Sequence, residues 1–308
     1  MQIRSLGPLL LALSFTALDG LSATALGAQS GGPYAPVVLM LPTGPRTLAM
    51  GNVGIGSRDD DVLFFNPAQI AVARGMSASG ERYSSSAGGG TLSAVTRLGG
   101  GGIAVGMRMV DYTIGPPGFP ADRDRMLVGG SEVGTSLEAT AGLAQVFKGV
   151  RVGVAAKYAE DQATNVRAHR AAADVGLSKD FRRYFTAGLS VQNVGSSVSF
   201  APTTAYLPLR TTAGLAGSGP LGPVDVTATA AVSLLRDSFV IPAGGGEVSY
   251  SWLDGYAVAI RAGVRRPIQG EAPFTAGAGF TMDRLSIDYA IEALSGSRAG
   301  HRIGLRIR

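Results

Sequence analysis

A strict two-residue alternation, recurring from about residue 76 to residue 308, constrains the fold more than any other feature of the sequence. In the stretch 150–158, Val150, Val152, Val154, Ala156 and Tyr158 fall on one side, and Arg151, Gly153, Ala155 and Lys157 on the other. Tyr256, Val258, Ile260 and Val264 oppose Arg261 and Gly263 in the same way. Leu285, Ile287, Tyr289 and Ile291 oppose Ser286, Asp288 and Glu292, while Ile303, Leu305 and Ile307 oppose Arg302, Gly304 and Arg306. Side chains alternate sides along a strand but not along a helix, so this period predicts β-structure. Fourteen strands are expected, starting near Met76, Gly90, Gly102, Val133, Val150, Ala168, Tyr184, Leu207, Pro223, Gly245, Tyr256, Phe274, Arg284 and Ala299.

An apolar face must meet something apolar. In a soluble sandwich two such faces meet each other and the arginines face water; in a membrane barrel the apolar faces meet lipid and the charges line a lumen. Three features favour the barrel. Connections alternate between tight (99–101, 148–149, 282–283, with 217–222 the longest) and long (111–132, 160–167, 193–206, 235–244, 265–273). Aromatics gather at strand ends (Tyr83, Tyr112, Phe147, Tyr158, Tyr184, Phe185, Trp252, Tyr256), as interfacial girdles do. The alternation also runs to the end of the sequence, so an even-stranded barrel would close with both ends on one side.

Export is expected as well. Arg4, the apolar run 9–18 and a small-residue site at 25–27 or 26–28 have the layout of a cleaved signal peptide over residues 1–28. Past it, no run reaches the roughly 20 apolar residues of a membrane helix. Charged residues make up only 16% of the chain, below the roughly 25% of soluble domains. Net charge is +5, yet no basic run or basic-aromatic patch exists, so nucleic acid is not an expected partner. Cysteine is absent, which removes disulfides, thiol catalysis and Cys-based metal sites.

Candidate chemistry is sparse. His169 and His301 are the only histidines, and no nucleophile-elbow pattern accompanies them, so no catalytic residues are assigned and no enzyme is expected. Asp59, Asp60 and Asp61 are adjacent; adjacent side chains do not converge on one ion, and the spacing is not that of a calcium loop. They read as carboxylates at a helix start, solvated or paired with Arg46, Arg58 or lumen arginines. Neither metal nor cofactor is expected. The glycines of Gly51-Asn-Val-Gly54-Ile-Gly56 suit close approach to a wall better than a phosphate loop. Asn66-Pro67-Ala68-Gln69, preceded by Phe64 and Phe65, has the form of a capped helix start: Asn as N-cap, Pro at the first helical position, Gln placed to complete a capping box. A short helix from Pro67 to about Ala73 is predicted.

With these residues in view the chain resembles a known family. Arg46-Thr-Leu-Ala-Met50-Gly51, then Gly54, the Asp59-Asp60 pair and Phe65-Asn66-Pro67-Ala68, are similar to the amino-terminal signature of PorV/PorQ-type outer-membrane proteins and, more distantly, of FadL-type transporters. Asp174-Val-Gly-Leu, Gly188-Leu-Ser-Val-Gln-Asn193-Val-Gly195, Glu247-Val-Ser-Tyr250 and Asp288-Tyr-Ala290 follow in the family's order. The resemblance implies an all-β, antiparallel transmembrane barrel of about fourteen strands in the outer membrane of a Gram-negative-type bacterium. Residues 29–75 would form a lumen plug containing the short helix, and residues 76–308 the barrel. Phe64, Phe65, Asn66, Pro67, Ala68, Gln69, Asp59 and Asp60 would then be plug or gating residues, and Arg151, Lys157, Arg261, Asp288, Arg302 and Arg306 would line the lumen. FadL-like members move hydrophobic molecules, and a hydrophobic or amphipathic ligand is the first expectation. PorV belongs to type IX secretion, and cargo or secretion-machinery proteins are the alternative partners, beside outer-membrane lipid.

Overall fold

A computed structural model of the protein describes residues 35–84, 87–114, 132–163, 166–182, 184–196, 198–200, 203–268, 271–294 and 298–308. The signal peptide expected over 1–28 lies outside them, as does most of the 111–132 connection.

The strands are β1 (Gly75–Ser84), β2 (Ala87–Leu98), β3 (Gly101–Ile114), β4 (Glu132–Phe147), β5 (Val150–Ala163), β6 (Val166–Phe181) and β7 (Phe185–Val194). They continue with β8 (Val198–Phe200), β9 (Thr203–Ala205), β10 (Arg210–Leu221), β11 (Val224–Leu235), β12 (Val240–Leu253), β13 (Tyr256–Arg265), β14 (Glu271–Met282), β15 (Leu285–Leu294) and β16 (Arg298–Ile307). Fourteen of them close into an antiparallel barrel in chain order, with β8 and β9 set apart as a two-stranded sheet. The barrel is sealed by β1 on β16, in register from Met76 opposite Ile307 to Arg82 opposite His301. Closure leaves no edge strand and so no row of unpaired backbone groups.

The predicted starts fall within three residues of the observed ones except at β12, which begins at Val240 rather than Gly245. Loop lengths need more correction. Most of the 160–167 segment, expected as a loop, is strand: β5 runs on to Ala163 and β6 begins at Val166, with charged residues in the ladder. The 217–222 link is strand as far as Leu221, with Pro220 opposite Asp225. The β8–β9 sheet within the 193–206 connection was not foreseen; segments of three residues carry too little period to be read. Gly75 and Ile307 share one end with the tight connections, called here the turn end, and the opposite end is the loop end. At the turn end Lys148 and Gly149 both take positive φ, the twist-matched geometry of a two-residue hairpin.

The barrel is apolar outside and polar inside. Val154, Leu215, Val258, Ile260, Phe274 and Ile303 are exposed on the outer face, while Arg151, Lys157, Arg261, Asp288, Arg302 and Arg306 are buried within. Phe147, Tyr158, Tyr184, Phe185, Trp252 and Tyr256 are exposed as a girdle requires, and Trp252 packs against Tyr256 and Phe280. Tyr83 and Tyr112 do not belong to that girdle. Both are buried in the lumen, where they join Val37, Val38, Leu39 and Leu41 in one apolar cluster. Their parity in β1 and β3 puts them on the charged side, a face that must also cover whatever fills the lumen.

Candidate functional site

The lumen is filled by the chain's own segment 35–74. Ala35 donates its N–H to the Tyr206 carbonyl near the loop end, and the segment ends where β1 begins at the turn end. Short turns mark its course: 3-10 turns at Val37–Met40, Asp60–Phe64 and Pro67–Ala71, and one helical turn at Pro45–Ala49.

Seen from the acidic run upward, the three carboxylates part company. Consecutive residues of a 3-10 turn point about 120° apart, so each finds a different partner. Asp59 meets Arg46, Arg306 and Arg308. Asp60 accepts from the Ser93 hydroxyl of β2 at 2.8 Å, and Asp61 accepts from the Thr47 hydroxyl. Arg58, expected as a partner of this run, instead reaches Asp180 at 3.1 Å. Among the described residues no group of three or more His, Asp or Glu side chains is placed to hold a metal ion.

Asp59 is one member of a closed ring of alternating charge. Arg46 donates to Glu247 at 2.7 and 2.8 Å, and Arg261 donates to Glu247 at 2.5 Å and to Asp288 at 2.7 Å. Arg306 completes the circuit, 3.0 Å from Asp288 and 2.8 Å from Asp59, which returns to Arg46. The plug supplies Arg46 and Asp59, and β12, β13, β15 and β16 supply the other four. Burial alone would raise the Asp59 pKa, but the Arg306, Arg46 and Arg308 guanidiniums hold it well below the usual carboxylate range. Asp61 goes the other way: burial, then the charges of Asp59 and Asp60, push it up to about 7.

That value gives a signed expectation. A carboxyl with a raised pKa in the docked plug favours docking while it is protonated. Its contribution is therefore fully present below the ordinary carboxylate range and is lost as pH rises toward about 7. Hydrogen exchange of plug amides, corrected for intrinsic rate, is expected to show protection falling from pH 5 to pH 7. Asp61→Asn is expected to flatten that fall; an identical slope in the variant would refute the assignment.

Asn66 caps its turn as predicted, its Oδ1 accepting the Ala68 N–H at 3.1 Å. The capping box does not form. Gln69 instead donates to the Ile55 carbonyl at 3.4 Å and accepts from Ser178 of β6 at 3.3 Å, while the Asn66 N–H is taken by the Val62 carbonyl. The turn is also shorter than predicted, ending at Ala71 in 3-10 geometry. Asn66 adds two bonds that sequence did not suggest, from Nδ2 to the carbonyls of Ile55 and Leu177 at 3.1 and 3.2 Å. Pro67 and Ala68 lie against Gly153 and Gly176, where an added Cβ would stand 2.3 Å from the Pro67 carbonyl and 2.0 Å from Asn66 Oδ1. The close approach foreseen for the 51–56 glycines is real at two of three positions: Gly51 lies on Gly244 and Val264, Gly56 on Ala216, whereas Gly54 packs on Phe65 within the plug. Asn66→Ala is expected to destabilise the plug by about 1–2 kcal/mol through the lost cap. Limited proteolysis of intact barrels would register it.

All six expected lumen residues face the lumen, but their polar partners are protein. Arg151 pairs with Asp180, Lys157 with Asp174 and Glu138, and Arg302 with Glu81, Tyr83 and the Thr43 carbonyl. Arg108, not singled out from sequence, pairs with Glu138, donates to the Leu41 and Pro42 carbonyls and lies over the Phe64 ring. Its signal was available in its inward parity on β3. His169 and His301 lie on the outer face, each beside a tyrosine, Tyr158 and Tyr289. Beside the plug, toward the loop end, a cleft of about 600 Å³ including its open mouth runs along β7 and β10–β13, with Phe65 and Ile55 on the plug side.

No protein-family model and no curated protein matches the chain. Solved structures do. The toluene transporter TodX of Pseudomonas putida superposes with a TM-score of 0.59 at 12% identity, over 87% of this chain and 97% of that one. The toluene transporter TbuX of Ralstonia pickettii gives 0.56 at 14%, over 87% and 99%, and the monoaromatic hydrocarbon channel CymD 0.56 at 11%, over 86% and 96%. The likeness is one of fold. It is that of a closed antiparallel barrel, the fold class the sequence implied.

Proposed function

We propose that the protein is an outer-membrane channel for hydrophobic or amphipathic small molecules, gated by its amino-terminal plug. The observation that carries the reading is the pairing of an apolar outer belt with a lumen occupied by a segment that is no part of the sheet. Soluble monomers rarely expose apolar patches beyond a few hundred Å², whereas here whole strands turn apolar side chains outward. From Val150 to Tyr158 the belt spans roughly 20 Å along a barrel axis at the usual tilt, close to the ~25 Å apolar band of outer-membrane barrels. Lipid is thus the partner of the outer face, and the turn end faces the periplasm. The plug is held by side chains, caps and a few isolated backbone bonds, so it can leave without breaking a strand ladder. TodX, TbuX and CymD, described as hydrocarbon transporters or channels, share the fold and support a small hydrophobic cargo.

The test is uptake of toluene by proteoliposomes, with the plug intact and with it released by Asp59→Asn. Release is expected to raise flux; equal flux in both would remove the plug from the path. A PorV/PorQ-type role in secretion is the second reading, favoured by the order of sequence motifs from Arg46 to Asp288. Stable co-purification with an exported protein's carboxy-terminal domain would decide for it.

A further inference from the structure

We infer that the rim of the turn end between β4 and β7 is a binding site for an anionic phospholipid, its headgroup held by Lys148, Lys179 and Arg182. The inference rests on the membrane reading above, in which the turn end faces the periplasm, and not on the channel. Only three lysines occur in the chain, and two of them stand here. Lys148 lies in the β4–β5 turn and Arg182 in the β6–β7 connection, each at a positive φ (49° and 54°) that glycine or asparagine adopts more readily. Lys179 stands on the outer face beside them: Val150 is paired with Phe147 on one side and with Lys179 on the other. All three cations are exposed, and among the described residues none meets a carboxylate. Asp180, next in sequence to Lys179, turns to the lumen side, where Arg151, Arg58 and Thr186 hold it.

Beside these cations the wall is aromatic. Phe147, Phe181 and Phe185 are exposed on the outer face, and Phe181 stacks on Phe185 with ring centroids 5.8 Å apart. Phe185 lies on Gly217 of β10 and Tyr184 on Gly219, so the apolar floor continues over bare backbone. Two strand spacings, roughly 10 Å, separate Phe147 from Lys179, within the span of one phospholipid. Long basic side chains lay their stems along apolar surface and carry the charge to its polar edge. Cations at the edge of a lipid-facing aromatic floor therefore fit a partner with a negative head and apolar tails, and not a soluble anion. The opposite arc of the same rim is unlike this one. There Trp252 and Leu253 lead into Asp254, and Met282 into Asp283, with Arg284 the one cation of those two turns. An apolar anchor followed by a carboxylate repels the head that the first arc attracts.

The test is titration of the full-length protein in detergent with phosphatidylglycerol and with phosphatidylcholine, followed by native mass spectrometry. Phosphatidylglycerol is expected to bind about tenfold more tightly or better. Lys148→Gln, Lys179→Gln and Arg182→Gln are each expected to weaken it about fivefold, the worth of one cation at an anionic leaflet, and the triple variant to bind both lipids alike. Arg284→Gln on the opposite arc should leave the preference unchanged, and millimolar glycerol phosphate, which lacks tails, should not displace the lipid. Retained heat-modifiability would show that the variants are folded. Equal affinity for the two lipids, a preference that survives the triple substitution, an equal loss in Arg284→Gln, or displacement by glycerol phosphate would overturn the site. Flotation with phosphatidylcholine vesicles separates this from the membrane reading. Flotation without a phosphatidylglycerol preference sinks the site and leaves the barrel in its membrane; failure to float sinks both.

Discussion

Asp59→Asn is expected to free the plug while leaving the barrel wall intact. The substitution removes the one carboxylate shared by Arg46, Arg306 and Arg308, all of which reach it in the lumen. A buried charge that loses its partner costs about 3–5 kcal/mol, and here Arg306 is left with Asp288 alone and Arg46 with Glu247 alone. The strand ladders are untouched, so heat-modifiability on gels should persist. Plug amides from Leu48 to Val72 should exchange orders of magnitude faster, and single-channel recordings should show openings that the parent protein lacks. Replacing Arg306 by Met in the same background should recover part of the loss, because an apolar side chain has no charge to strand. Unchanged exchange in the single variant would show that the ring does not hold the plug.

Gly153→Ala is expected to act from the opposite wall. The new methyl would stand 2.3 Å from the Pro67 carbonyl carbon and oxygen and 2.5 Å from the Ala68 nitrogen, all backbone atoms of a turn anchored by Asn66. Backbone cannot step aside as the tip of a flexible side chain does, so about 1–3 kcal/mol of overpacking should fall on the Pro67–Ala71 turn. The signature is a rise in exchange confined to residues 66–73, with the 45–61 half of the plug unaffected. Gly246→Ala is the control, since Gly246 faces outward, where an added methyl meets only the Thr227 carbonyl at 3.5 Å. Equal effects of the two alanines would refute a specific seat for the Asn-Pro-Ala turn.

Period and parity made the wall legible. Arg151, Lys157, Arg261, Asp288, Arg302 and Arg306 could be assigned to the inner face because a one-residue shift would turn every side chain over. Partners were not legible. Arg46 and Glu247 lie 201 positions apart, and their meeting depends on strand tilt, shear and the height at which the plug crosses the lumen. Gln69 shows the same limit locally: its spacing from Asn66 fits a capping box, yet the tertiary bond to Ser178 took its side chain. Tyr83 and Tyr112 were misread because an aromatic at a strand end suits a lipid interface and a packed lumen alike. The arginines that line the cleft beside the plug, Arg210, Arg265 and Arg266, sit at or just beyond strand ends, where parity no longer distinguishes inside from outside.

The ring also carries information about assembly. Asp59 precedes the first barrel strand and Arg306 belongs to the last, so their contact joins positions 247 residues apart. No chain emerging from its amino terminus can form that contact until β16 has been made and has paired with β1. The segment destined for the lumen must therefore wait for this anchor through insertion of the other thirteen strands, because such distant contacts are the last to repay their loop-closure entropy. Sealing of the wall and seating of the plug thus become a single late event, and a barrel that fails to close is left without its stopper.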